Sequence, residues 1–106
     1  MKLAFYTMNH YEFSSQNLHI LITLAINQKI PHKALVDWCS FYIYEADKED
    51  DQVLLLDDKA RTVMLDIDAQ WELFLTNTFT VSELQTLNLD LIKLPVQWLE
   101  DWLEKL

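Results

Sequence analysis

The sequence predicts a small all-α protein, a bundle of four to five helices formed by a single domain over residues 1–106. Three observations predict it. Apolar residues recur at helical spacing in four separate segments. Glycine is absent, where about 7% is usual, so the residue that tight hairpin turns favour is missing. A chain of 106 residues with 51% hydrophobic side chains suffices for one core, whereas two cores would each be too small.

The first dozen residues, with Leu3 and Phe5 alternating against Ala4 and Tyr6, read as a short strand or an added helix. Ser14 or Ser15 caps a helix expected to run to about Lys29, with Leu18, Leu21, Ile22, Ala25 and Ile26 on one face. Its only polar stripe is His19, Thr23 and Asn27, which predicts a central position. Pro31 suits a first helical position, and residues 31–46 carry Leu35, Trp38, Cys39, Tyr42 and Ile43 at helical spacing. The tail of that segment, residues 41–44, reads equally as a strand.

Residues 45–52 have no apolar period and read as a solvated loop or frayed helix end. From Asp57 to about Leu75 the positions Ala60, Val63, Met64, Ile67, Trp71, Phe74 and Leu75 predict one long amphipathic helix. The alternative is an α+β fold with a short hairpin around 53–67, pairing 53–56 with 62–67, because Val63, Leu65 and Ile67 also alternate. Thr80-Val81-Ser82-Glu83 is a capping box, with Phe79 and Leu84 placed as a hydrophobic staple, so a helix starts at Val81. Pro95 opens the last helix, with Val96, Leu99, Trp102, Leu103 and Leu106 expected inward and Glu100, Asp101 and Glu104 outward.

Charge narrows the function classes. Seventeen acids against eight bases give a net charge of −9, and ten of those acids lie in residues 45–72. Contacts to DNA, RNA and anionic membranes are built mainly from Lys and Arg, so no direct nucleic-acid or membrane partner is expected. No stretch reaches the roughly 18 consecutive apolar residues of a membrane helix. No signal-peptide pattern opens the chain, and Cys39, alone, has no internal disulfide partner; both favour the cytoplasm.

Catalytic constellations are lacking. His10, His19, His32 and Cys39 are spaced too widely for a zinc signature, so no cofactor and no metal are expected. Residues 47–58 place acids at calcium-loop positions one, three, five and twelve, but Gln52 stands where the sharp turn needs glycine and the apolar Leu55 fills position nine. Phosphate cradles and nucleophile elbows depend on glycine. Cys39 reads as a buried small hydrophobe, His19 as a hydrogen-bonded core or boundary residue, and His10 and His32 as solvated positions. Asp66 and Asp68, two apart on a helix, point about 200° from each other and would not converge as a catalytic pair.

What remains is surface recognition by a protein that catalyses no reaction. The candidate partner-binding residues are Glu49, Asp50, Asp51, Asp57, Asp58, Asp66, Asp68 and Glu72, read as one extended negative surface, with Trp98 as an aromatic anchor. Such a surface suits a basic protein partner, a toxin or nucleic-acid-processing enzyme. The expectation is a small acidic inhibitor of the immunity or antitoxin type that covers a positively charged site on an enzyme such as a nuclease. One alternative is a nucleic-acid mimic acting against a restriction or CRISPR-type defence complex. Another is a self-associating structural or adaptor module, a homodimer joined through an apolar helix face.

Overall fold

A computed structural model describes residues 12, 14–44 and 58–106. The expectations for the first eleven residues, for the acidic stretch 45–57 and for the calcium-like spacing within it lie outside the described residues.

Helix α1 spans Ser15–Ile26. The Ser14 side chain accepts the Asn17 N–H at 3.0 Å, satisfying one of the otherwise unpaired first-turn donors. The helix ends three residues before Lys29. Gln28 takes a left-handed backbone (φ 59°), and the N–H groups of Lys29 and Gln28 donate back to the carbonyls of Leu24 and Ala25 at 2.8 and 3.1 Å. This is the paired closure that usually has glycine at the left-handed position. In a chain without glycine, Gln28 bears that conformation at a cost of about 1–2 kcal/mol.

Helix α2 spans His32–Tyr44, directly after Pro31. A strand over residues 41–44 is overturned, since they complete the helix and Tyr42 meets Trp38 one turn back with ring centroids 5.3 Å apart. Lys33 and Asp37 add an i,i+4 ion pair at 2.8 Å.

Helix α3 spans the 21 residues Asp58–Thr78, a rod about 31 Å long. The hairpin alternative is overturned over 62–67. Ala60, Val63, Met64, Ile67, Trp71 and Leu75 are all buried at the 3.6-residue period. Leu65, the residue that made an alternating pattern possible, is instead 48% exposed.

Helix α4, Val81–Thr86, opens on the expected capping box: the Thr80 hydroxyl accepts from Glu83 N–H at 3.1 Å, and the Glu83 carboxylate accepts from Thr80 N–H at 2.8 Å. Phe79 and Leu84, the two staple positions, both pack partly on the core. A 3-10 turn, Leu89–Leu91, is capped by the Asn88 side chain and was not anticipated from the spacing. Helix α5 spans Val96–Lys105 after Pro95. Its inward set needs one correction: Leu99 and Trp102 are buried and Leu103 and Leu106 pack partly on the core, but Val96 is 49% exposed. Val96 directly follows Pro95, and the helix makes its close contacts from Trp98 and Leu99 onward.

The five helices form an all-α bundle, with no strand among the described residues. Helix α1 packs against α2, α3 and α5, which gives it the central position its narrow polar stripe predicted. Helix α3 packs against α1, α2 and α5, and the 3-10 turn rests on α2. Leu18, Leu21, Ile22, Leu35, Met64, Ile67 and Leu99 are the large side chains fully closed off at the junction of these helices. Among the described residues no helix is long and apolar enough to cross a membrane.

Candidate functional site

Helix α3 carries the described acids of the candidate surface, and packing on two sides divides them. The 3.6-residue turn aims Asp66 and Asp68 at different neighbours, as their spacing implied. Asp68 faces α2, where it accepts from the Ser40 hydroxyl at 2.5 Å and the Tyr44 hydroxyl at 2.9 Å. Asp66 faces α5, where it accepts from the Trp102 indole N–H at 2.7 Å. Both carboxylates therefore serve the fold as well as carrying charge.

The α2 side holds Asp68, Glu72 and Tyr44. The hydrogen bond to Asp68, together with the charges of Asp68 and Glu72, pushes the Tyr44 phenol above its ordinary range. Cys39 lies just beneath, fully buried; burial and then the charge of Asp68 push its thiol far up, so it stays protonated and unreactive. This matches its reading as a small core hydrophobe.

The α5 side gathers more. Asp66, Gln70, Trp98, Asp101, Trp102 and Lys105 line a shallow pocket of about 260 Å³ in the α3–α5 seam. Along the same seam Asp58, Lys59, Thr62, Val63, Glu104 and Lys105 line a second one of about 450 Å³. Asp58 is exposed and accepts from Arg61 at 3.2 Å. Four carboxylates thus border one seam: Asp58 and Asp66 from α3, and Asp101 and Glu104 from α5. Trp98 is half-buried on its rim, edge-on to Phe74 with centroids 5.8 Å apart and to Trp102 at 6.5 Å, which fixes the ring while part of it meets solvent.

Of the residues singled out in the sequence, the structure brings Asp58, Asp66 and Trp98 to this seam and sets Asp68 and Glu72 on the α2 side. Glu49, Asp50, Asp51 and Asp57 lie outside the described residues. Asp101 and Glu104 read only as outward-facing in the sequence; their spacing of three on one helix was visible, but joining them to Asp66 required knowing that α5 packs on α3.

Two histidines differ from expectation. His19 is exposed rather than a boundary residue, whereas His32 is 4% exposed rather than solvated. Its Nδ1 accepts the Leu94 N–H at 2.8 Å and its Nε2 lies 3.1 Å from the Ala25 carbonyl. A backbone N–H can only donate, so Nδ1 is the acceptor and Nε2 carries the proton that is donated to Ala25. Burial chiefly holds its pKa below the ordinary 6.5; the Ala25 bond opposes that shift and Lys93 reinforces it.

Among the described residues no group of three or more His, Cys, Asp or Glu side chains is arranged to hold a metal ion. Comparison with protein-family models, curated proteins and solved structures finds no match.

Proposed function

We propose that the protein is a small acidic, non-catalytic inhibitor of the immunity or antitoxin type, working in the cytoplasm by covering the positively charged site of a basic enzyme such as a nuclease. The observation that carries this reading is the α3–α5 seam, where Asp58 and Glu104 border one pocket and Asp66 and Asp101 border another that Trp98 also lines. Asp66 is held by the Trp102 indole N–H at 2.7 Å and Asp101 by the Gln97 amide at 2.9 Å, so these two carboxylates lose little side-chain freedom on binding. A fixed, partly exposed tryptophan beside them supplies the apolar anchor that charge alone lacks. The net charge of −9 adds long-range attraction and speeds encounter with a basic partner.

The test is affinity capture of the tagged protein from its native cell extract at low and then moderate salt, followed by binding measurements with the captured partner. A stoichiometric basic protein, released as salt rises, is expected. Asp58→Asn, Asp101→Asn and Glu104→Gln together should weaken its binding at least tenfold, about 1.4 kcal/mol, and flatten the salt dependence. Unchanged affinity and salt dependence in that variant would reject the seam as the contact.

One observation favours a second reading, self-association. Leu65 and Leu73, two turns apart on α3, are 48% and 51% exposed, with the exposed Ala69 between them. Sedimentation giving twice 12.6 kDa, and reverting to the monomer on Leu65→Ser and Leu73→Ser, would favour this reading.

A further inference from the structure

We propose that His32 is an acid-sensitive latch: as a neutral imidazole it clips residues 89–94 to the corner between α1 and α2, and uptake of a second ring proton releases that segment and uncovers Ile92 and Leu94. The geometry assigns both ring nitrogens. Nε2–H donates to the Ala25 carbonyl at the end of α1, and Nδ1 accepts from the Leu94 N–H, 62 residues further along the chain. One side chain at the start of α2 therefore ties together three parts of the fold. Protonating Nδ1 turns an acceptor into a donor facing the Leu94 N–H, so that bond cannot survive, whereas the bond to Ala25 can. The segment that would move is short: Ile92 and Leu94 are its buried side chains, Leu89 packs partly on the core, and Lys93 donates to the Gln28 side chain at 2.9 Å on the surface.

Among the described residues, the ionisable groups near the ring come from α1, α2, α3 and the segment 89–94. Lys29, Lys93 and Asp90 line the shallow pocket of about 270 Å³ beside His32. The two lysines oppose protonation and Asp90 favours it. Lys33 and Asp37, on the same helix, pair with each other at 2.8 Å. Asp68, the α3 carboxylate facing α2, bonds Ser40, about two helical turns away. Helix α1 has no ionisable residue between His19 and Lys29, and the chain has none between Lys93 and Glu100. With burial as the leading cause, the closed state holds the ring's pKa below 6.5. The latch is therefore fully engaged above that value, and weakens as pH falls from it toward the lower pKa of the closed state.

Amide hydrogen exchange by NMR on the full chain tests this, with protection expressed against the unstructured rate at the same pH. From about pH 7.5 to about 5, protection of the Leu94 amide should be flat at first and then fall by up to about tenfold per pH unit. The α3 core amides of Met64 and Ile67 should hold their protection over the same range. The His10→Gln, His19→Gln double variant, which keeps His32, should reproduce the fall, and His32→Gln should abolish it. Flat protection at Leu94, or a fall matched by Met64 and Ile67, would overturn the latch even if the His32 variant does not fold.

Discussion

Replacing Asp66 by Ala removes the acceptor of the Trp102 indole N–H while leaving the indole in place. Trp102 is 3% exposed and its N–H reaches the Asp66 carboxylate at 2.7 Å, so after truncation the indole N–H is left to water entering the shallow pocket that both residues line. A hydrogen bond to a charged partner contributes about 1.5–3 kcal/mol, and a buried donor left unpaired costs about 1–3 kcal/mol. Asp66 is half-buried, so part of its charge is already screened, and a loss of about 2 kcal/mol is expected. Asp66→Asn keeps a neutral acceptor in the same position and should lose less than about 1 kcal/mol. Urea unfolding followed by far-ultraviolet circular dichroism measures both without relying on the local tryptophan signal. With a urea slope of about 1–3 kcal/mol/M, the Ala variant should lower the midpoint by roughly 1 M. The exposed Glu72→Ala serves as reference and should stay within about 0.5 kcal/mol of the parent protein. If Asp66→Ala costs no more than Glu72→Ala, or no more than Asp66→Asn, the bond does not stabilise the seam and the reasoning fails.

Two further outcomes follow from local geometry. Gln28→Gly relieves the left-handed residue that closes α1 at φ 59° but, like Gln28→Ala, removes the surface hydrogen bond that Gln28 accepts from Lys93 at 2.9 Å; the Gly variant should therefore be more stable than the Ala variant by about 1 kcal/mol, several degrees in Tm, and equal Tm values would contradict the assignment of strain there. Cys39, fully buried with its thiol pushed up by burial and by Asp68, should resist a thiol reagent in the native protein at mildly alkaline pH and react at the rate of unfolding when urea is added; prompt native labelling would contradict its burial.

Most of the fold was legible because its signals are local. The capping box at Thr80, the prolines opening α2 and α5 and the long apolar stripe of α3 each lie within a few residues of one another. The errors arise where burial or an unusual backbone conformation decides. Leu65 fitted an alternating pattern until the burial of Ala60 and Met64 fixed α3 as a helix. Lys29 was included in α1 because sequence spacing does not reveal that Gln28 would adopt a conformation normally left to glycine. His32 looked solvated because its two hydrogen-bond partners are seven and 62 residues away, and neither is a side chain. For the candidate surface, composition located the acids and helical spacing predicted that Asp66 and Asp68 would diverge. Which neighbour each would meet depended on Ser40, Tyr44 and Trp102, and so on tertiary packing.

The opposed bonds of Asp66 and Asp68 also set the axial rotation of α3. Apolar side chains tolerate a helix turning a few degrees about its own axis, because one methyl contact replaces another at little difference in energy. Hydrogen bonds impose a narrower angular tolerance. A roll of α3 that carries Asp66 away from Trp102 cannot be absorbed by the same motion at Ser40 and Tyr44, since those partners hold the helix from another side. The pair therefore acts as two pegs against rolling in either direction. A redesign that made both positions apolar could keep the bundle while freeing α3 to pivot, which would scatter the seam's carboxylates without unfolding a single helix.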